Sequence, residues 1–164
     1  SRENASSTVS SDIVFNAALS GDIATVKTAV ENGWDVDNTN QNGNTLLMLS
    51  AFNGHYNAVQ YLLQKEASVN IRDNRGRTAL MFAASGAYPR TVGLLIENGA
   101  EIDASDKQEG FTALMFAASE GNPGVVKKLL EAGADKNIKD ADGDTALDFA
   151  RRNGHKKTAE LLKE

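Results

Sequence analysis

Apolar residues in this chain come in paired short bursts separated by polar, turn-forming stretches. The clearest pair begins at Thr112, a residue type that favours helix N-caps. Leu114, Met115, Ala117 and Ala118 follow at helical spacing. The run stops at Gly121, suited to the left-handed residue that closes many helices. Asn122-Pro123 opens a second run, with proline at the first helical position, where its missing N–H costs nothing. Val125, Val126, Leu129 and Leu130 form its apolar face, and Ala132-Gly133-Ala134 ends it. Asp135 to Asp142 is polar and turn-rich and leads to Gly143. The pattern predicts two short helices joined by a tight turn, followed by a hairpin-like connection.

The same pattern recurs along the chain. TALMFAAS stands at Thr78–Ser85 and again at Thr112–Ser119, with TLLMLSAF starting at Thr45 and TALDFARR at Thr145. Successive threonines are 33, 34 and 33 residues apart. Gly43, Gly76, Gly110 and Gly143 each precede one by two positions, and Gly54, Gly121 and Gly154 follow three of them by nine. A degenerate copy comes first, with Gly21 lying 33 residues before Gly54 and Gly33 closing its second apolar stretch. Five units result, at about 12–41, 42–74, 75–108, 109–141 and 142–164. No unit carries enough apolar area to stand alone, so stacking must supply one continuous core. The alanines inside the first helix of each unit let neighbours approach closely.

Units of this length, with a threonine-led tetrapeptide and a Gly-Ala-Asp close, resemble ankyrin repeats. Gly133-Ala134-Asp135-Lys136-Asn137 and Gly99-Ala100-Glu101-Ile102-Asp103 match the family's loop, and Gly54-His55 and Gly154-His155 its inter-helix turn. The resemblance implies an all-α ankyrin-repeat solenoid of helix-turn-helix units joined by β-hairpin-like loops, forming a single domain over residues 10–164 after a flexible lead-in at 1–9. The chain departs from the family in four ways. Met48, Met81, Met115 and Asp148 replace the tetrapeptide histidine, so the usual threonine–histidine network is expected to be absent. Ala87 replaces the turn glycine of the third unit, Glu66 replaces the glycine that Gly33, Gly99 and Gly133 supply elsewhere, and one residue is inserted in the segment 106–110. The first unit begins at Ser11-Asp12 and has a polar second helix, and the last is charged, as expected of solenoid ends that face water.

Composition narrows the function. The 164 residues carry a net charge of −5, with 41% hydrophobic and 24% charged residues, as in a folded globular chain. A pI near 5.1 argues against a nucleic-acid binder driven by bulk charge, and no apolar run could span a bilayer. Zero cysteines remove disulfides, thiolate zinc sites and cysteine nucleophiles. The halves 1–82 and 83–164 carry −2 and −3, so neither is a charged arm. The first residue is Ser, which fits a processed or trimmed chain and leaves open a removed signal peptide, and with it the compartment. Asn4-Ala5-Ser6 is a formal glycosylation triplet of the kind chance supplies.

Candidate chemistry is sparse. His55 and His155 follow a glycine at the same repeat position, three units apart, which suits turn capping better than a shared proton or metal. Asp140, Asp142 and Asp144 surround Gly143 but fail the calcium-loop frame and read as a solvated hairpin tip. No phosphate-binding glycine loop or GxSxG is present, so no cofactor and no catalytic residue is expected. Arg151, Arg152, Lys156 and Lys157 form either a solvated cap or an anion-binding patch. Met48, Met81 and Met115 are expected to line helix packing. Trp34 either covers the first unit's core or stands exposed as an anchor.

The resemblance implies a non-enzymatic interaction scaffold that binds a protein or peptide through a concave face lined by hairpin tips and first helices. Carried over by register, the candidates at the hairpins are Gln41, Asn42, Asn44, Asn74, Arg75, Arg77, Gln108, Glu109, Phe111, Asp142 and Asp144. On the first helices they are Phe52, Asn53, Ser85, Gly86, Ser119, Glu120, Arg152 and Asn153. Phe52, Arg75, Arg77 and Phe111 are the expected anchor patch, because interface hot spots favour aromatics and arginine. The competing reading is that each Phe packs on an adjacent hairpin. A monomer is the default for a capped array. The alternative function is a regulatory segment of a larger protein whose activity lies elsewhere.

Overall fold

The computed structural model describes residues 9–163. Residues 1–8, with the Asn4-Ala5-Ser6 triplet, and Glu164 lie outside the described residues. The described chain is helical, in five consecutive pairs: α1 (Ser11–Ser20) with α2 (Ile23–Glu31), α3 (Leu46–Phe52) with α4 (Tyr56–Gln64), and α5 (Ala79–Ala84) with α6 (Pro89–Glu97). α7 (Ala113–Glu120) with α8 (Pro123–Glu131) and α9 (Ala146–Arg152) with α10 (Lys156–Lys163) complete the array. Odd-numbered helices pack on one another in sequence, and even-numbered helices form a second row behind them.

The repeated threonines start the odd helices. Thr45, Thr78, Thr112 and Thr145 are extended at the N-cap. Each accepts on Oγ1 the backbone N–H three residues on, at 3.2–3.4 Å. In three units the residue donating that N–H is methionine, and its buried thioether fills core space. In the last it is Asp148, whose Oδ2 accepts from the Thr145 N–H at 2.8 Å and hydroxyl at 3.0 Å. Asp148 thus makes a reciprocal cap without histidine, and in the second unit Met48 Sδ likewise accepts from the Thr45 N–H at 3.5 Å. The bonds from Thr145, its backbone N–H foremost, hold the Asp148 carboxyl below the usual carboxylate range.

Stacking uses the same register in every unit. Leu46, Ala79, Ala113 and Ala146 directly follow the threonines and are at most 2% exposed, because each faces the preceding unit. Ile13, at the same register in the first unit, is 53% exposed. Phe15 meets Trp34 edge-on at 5.8 Å, and Trp34 is partly buried against the core with its indole Nε1 unpaired, so it covers the first unit.

The histidines pin successive turns. Nε2 of His55 lies 2.9 Å from the Leu19 carbonyl, and Nε2 of His155 lies 2.9 Å from that of Ser119. A carbonyl only accepts, so each ring donates through Nε2. The rings cover Gly21 and Gly121, where a Cβ would approach within 2.5 Å, so these turns need glycine for space as well as for their left-handed φ. In the third unit Tyr88 lies over both Gly54 and Gly86, and the turn at Ala87 avoids positive φ. Glu66 does not avoid it: its φ of 63° matches the left-handed turn that Gly33, Gly99 and Gly133 make.

The connections are tight turns built on an Asx acceptor. Oδ1 of Asn40, Asp73 and Asp140 accepts the backbone N–H groups two and four residues on. Asp106 instead accepts from Glu109, Gly110 and Phe111, which absorbs the inserted residue as a wider turn. The tips join in a ladder: Asn74 N–H donates to the Asn42 carbonyl at 3.0 Å, Lys107 to Arg75 at 2.9 Å and Ala141 to Glu109 at 2.8 Å.

Glu66→Gly should stabilise the chain by about 1 kcal/mol by removing left-handed strain, and Gly99→Ala should cost about 1 kcal/mol although open space surrounds it; urea titration of both variants checks this. Asp148, with its carboxyl depressed in the folded state, contributes stability above the unfolded carboxylate value that is lost as pH falls through the folded value. The urea midpoint should therefore drop less steeply below about pH 4 in Asp148→Met than in the native chain.

Candidate interaction face

The odd-numbered helices and the hairpin tips meet along one face. Four positions after the repeated threonines stand Leu49, Phe82, Phe116 and Phe149, all half-buried and in the same register on α3, α5, α7 and α9. They form the apolar floor of the face. These aromatics were not among the sequence candidates, although the shared TALMF and TALDF strings carry them. Their position beside the core concealed that the same side chains also border the open face.

Two clusters are built on this floor. In the first, Phe52 meets Phe82 edge-on at 6.0 Å, and the Arg77 guanidinium stacks 4.6 Å above the Phe82 ring. Asp73 fixes that arginine: its buried Oδ2 receives Arg77 Nε at 2.9 Å and Nη2 at 2.8 Å, and Asn44 Nδ2 at 3.1 Å. Phe52 is 47% exposed, the most exposed large apolar side chain of the described residues after Ile13. Leu19, at the register of Phe52 one unit earlier, is 36% exposed and extends the apolar surface. Arg75 stands exposed at the tip beside Arg77.

In the second cluster Phe111 packs edge-on against Phe116 at 5.5 Å and Phe149 at 5.1 Å. Arg152 lies 5.6 Å over the Phe149 ring and pairs with Asp144 at 3.0 Å. That carboxylate holds the guanidinium even more firmly protonated.

The expected anchor patch therefore divides. Arg77 reaches the Phe52–Phe82 pair, Arg75 shares its hairpin, and Phe111 joins the second cluster. Two expectations of exposure are corrected. Asn44 is 6% exposed because its amide serves Asp73 and the Met48 thioether. Phe111 is half-buried because Phe149, one unit on, covers it. Several other candidates are committed to inter-unit bonds. Asn53 Nδ2 donates to the Leu19 carbonyl at 2.8 Å, Asn153 Nδ2 to that of Ser119 at 3.0 Å and Asn74 Nδ2 to that of Gln41 at 2.9 Å. Glu109, Glu120 and Asp142 are exposed at the far end of the face. Among the described residues no group of three or more His, Asp or Glu is placed to hold a metal ion, and no helix is long and apolar enough to cross a membrane.

Helical pairs stacked in one register, their turns pinned unit to unit and their tips joined in a ladder, define a repeat scaffold. The chain belongs to the ankyrin-repeat family: the family model for ankyrin repeats in three copies matches residues 14–106 and again residues 90–164. Ankyrin repeats are generally protein–protein interaction modules, and the family is typically non-enzymatic. No curated protein matches the chain.

The two clusters differ in what their aromatics do for the fold. Phe52→Ala should change unfolding free energy by less than about 1 kcal/mol, since the ring is half in water and loses one edge-on contact. Phe111→Ala should cost about 2 kcal/mol, because it opens a void between Phe116 and Phe149. Chemical denaturation of the two variants separates them.

Proposed function

We propose that this chain is a non-enzymatic scaffold that binds a partner protein or peptide on the face between its hairpin tips and odd-numbered helices, with Phe52 as the principal anchor. One observation carries the proposal. A large aromatic stands half-exposed on a rigid base of Phe82, Arg77 and Asp73, where it spends exposed apolar area that the fold does not need. Surfaces that combine a fixed aromatic with arginine are where binding energy concentrates.

Around Phe52, the side chains of Arg75 and Arg77 supply donors, and Asn74, Glu109 and Glu120 form a polar rim. Asn44, Asn53, Phe111 and Ser119 contribute by holding that surface in place. The base is tied down by bonds between units, so partner binding is largely rigid-body. The protein is expected to act as a monomer.

Affinity capture from the source cell's extract, with the native chain beside the double variant Phe52→Ala/Arg75→Ala, tests the reading. Each truncation should cost about 1–3 kcal/mol, weakening a true partner roughly 5- to 150-fold per site. The variant's unfolding midpoint must stay near native for the comparison to count. A partner retained equally by the folded variant would overturn the placement.

A further inference from the structure

The charges along the proposed face are ordered. On either side of the tip glycine stand Asn42 and Asn44 in the first hairpin, Arg75 and Arg77 in the second, Glu109 and Phe111 in the third, and Asp142 and Asp144 in the fourth. Within the described residues Arg77 pairs with Asp73 and Asp144 with Arg152. Arg75, Glu109 and Asp142 are exposed and carry no ion pair there. Lys107 adds a cation beside Arg75, as its N–H is bonded to the Arg75 carbonyl. Glu120, exposed at the end of α7, adds an anion toward the acidic end. The face is thus basic on the hairpin whose Arg77 stacks on the exposed aromatic's partner ring and carries unpaired carboxylates on the next two hairpins.

Resting on the binding reading above, we propose that the partner segment is charge-split. It sets an acidic residue against Arg75, a bulky apolar residue on Phe52 and Phe82, and a basic residue toward Glu109 and Asp142. Stacked helices lie about 8–10 Å apart, so the second and fourth hairpins are about 20 Å apart. An extended chain covers that in about six residues, and a helix in about thirteen. Nucleic acid fits poorly, because phosphates drawn to Arg75 would run into the Glu109 and Asp142 carboxylates.

Arg75 is the residue to reverse. Its side chain is exposed, and its turn bonds run through backbone N–H and carbonyl, so Arg75→Glu keeps them. Random 16-residue peptides displayed on phage are selected against the native chain and, separately, against Arg75→Glu. The native chain should enrich peptides with Asp or Glu near an aromatic or branched apolar residue and with Lys or Arg displaced from it. Those peptides, made synthetically, should bind Arg75→Glu and Phe52→Ala each at least about tenfold more weakly and lose affinity with added salt. The selection against Arg75→Glu should lose its acidic preference. Peptides that need Phe52 but show no acidic preference and bind Arg75→Glu equally would sink the charge-split proposal while leaving the binding face standing. Peptides indifferent to Phe52→Ala, or no enrichment at all, would overturn both. Tighter binding of a twenty-residue oligo-dT than of any peptide would do the same.

Discussion

Ala83, Ala117 and Ala150 are fully buried, and the alanines or serine at neighbouring positions of the odd-numbered helices are equally enclosed. Side chains this small leave each helix too narrow to cover its own apolar stripe. The stripe is covered only when the next unit comes close, and that close approach between units is what holds this chain together. It explains why Leu46 is fully buried while Ile13, in the same register but with no unit described before it, stands half in water. Stability in such an array is a sum of modest unit terms and interface terms between neighbours. Bonds such as those from His55 and His155 to the preceding turn matter because they act across those interfaces.

The same approach builds the candidate face. No single unit contains the base under Phe52: Phe52 comes from α3, Phe82 from α5, and Arg77 and Asp73 from the hairpin between units. Asp73 is 3% exposed, a costly place for a carboxylate. It is tolerable because two backbone N–H groups, the Arg77 guanidinium and the Asn44 amide satisfy both oxygens. A buried carboxylate held in this way orients the arginine that stacks on Phe82. The polar network and the aromatic base are one device, assembled by stacking.

This also marks how far the amino-acid sequence could be read. Helix starts, turn glycines and the repeat period depend on interactions within a few residues, so Thr112, Gly121 and Pro123 announce them directly. Exposure on the face depends on partners about one repeat away. Asn44 looks like a free hairpin amide until Asp73, 29 residues later, takes its donor. Phe111 looks exposed until Phe149 folds over it from the next unit. Glu66 shows a different limit, because a side chain can occupy a left-handed turn at some cost, and only the backbone φ reveals it. The aromatic floor was written in plain repeats, but Phe82, Phe116 and Phe149 satisfy a core pattern and a surface pattern at once.

Comparing the copies within this one chain separates what stacking demands from what it leaves free. The position after each repeated threonine is Leu or Ala, the next is always Leu, and both vary little because each must fit a neighbouring unit. Three positions further on from Leu49 and its equivalents stand Phe52, Ser85, Ser119 and Arg152, which range from an aromatic through a small hydroxyl to a cation. The position before the threonine is equally diverse, with Asn44, Arg77, Phe111 and Asp144. Each of these last four has found a structural occupation: Asn44 and Arg77 serve Asp73, Phe111 fills space against Phe149, and Asp144 holds Arg152. Phe52 and Arg75 have the least such occupation. Phe52 touches one ring by its edge, and the Arg75 guanidinium takes part in no ion pair among the described residues. Stacking would accept Ser at the first position, as it does at Ser85 and Ser119. Phe52 on α3 and Arg75 on the hairpin that follows its unit are therefore the side chains that the proposed binding reading offers to a partner.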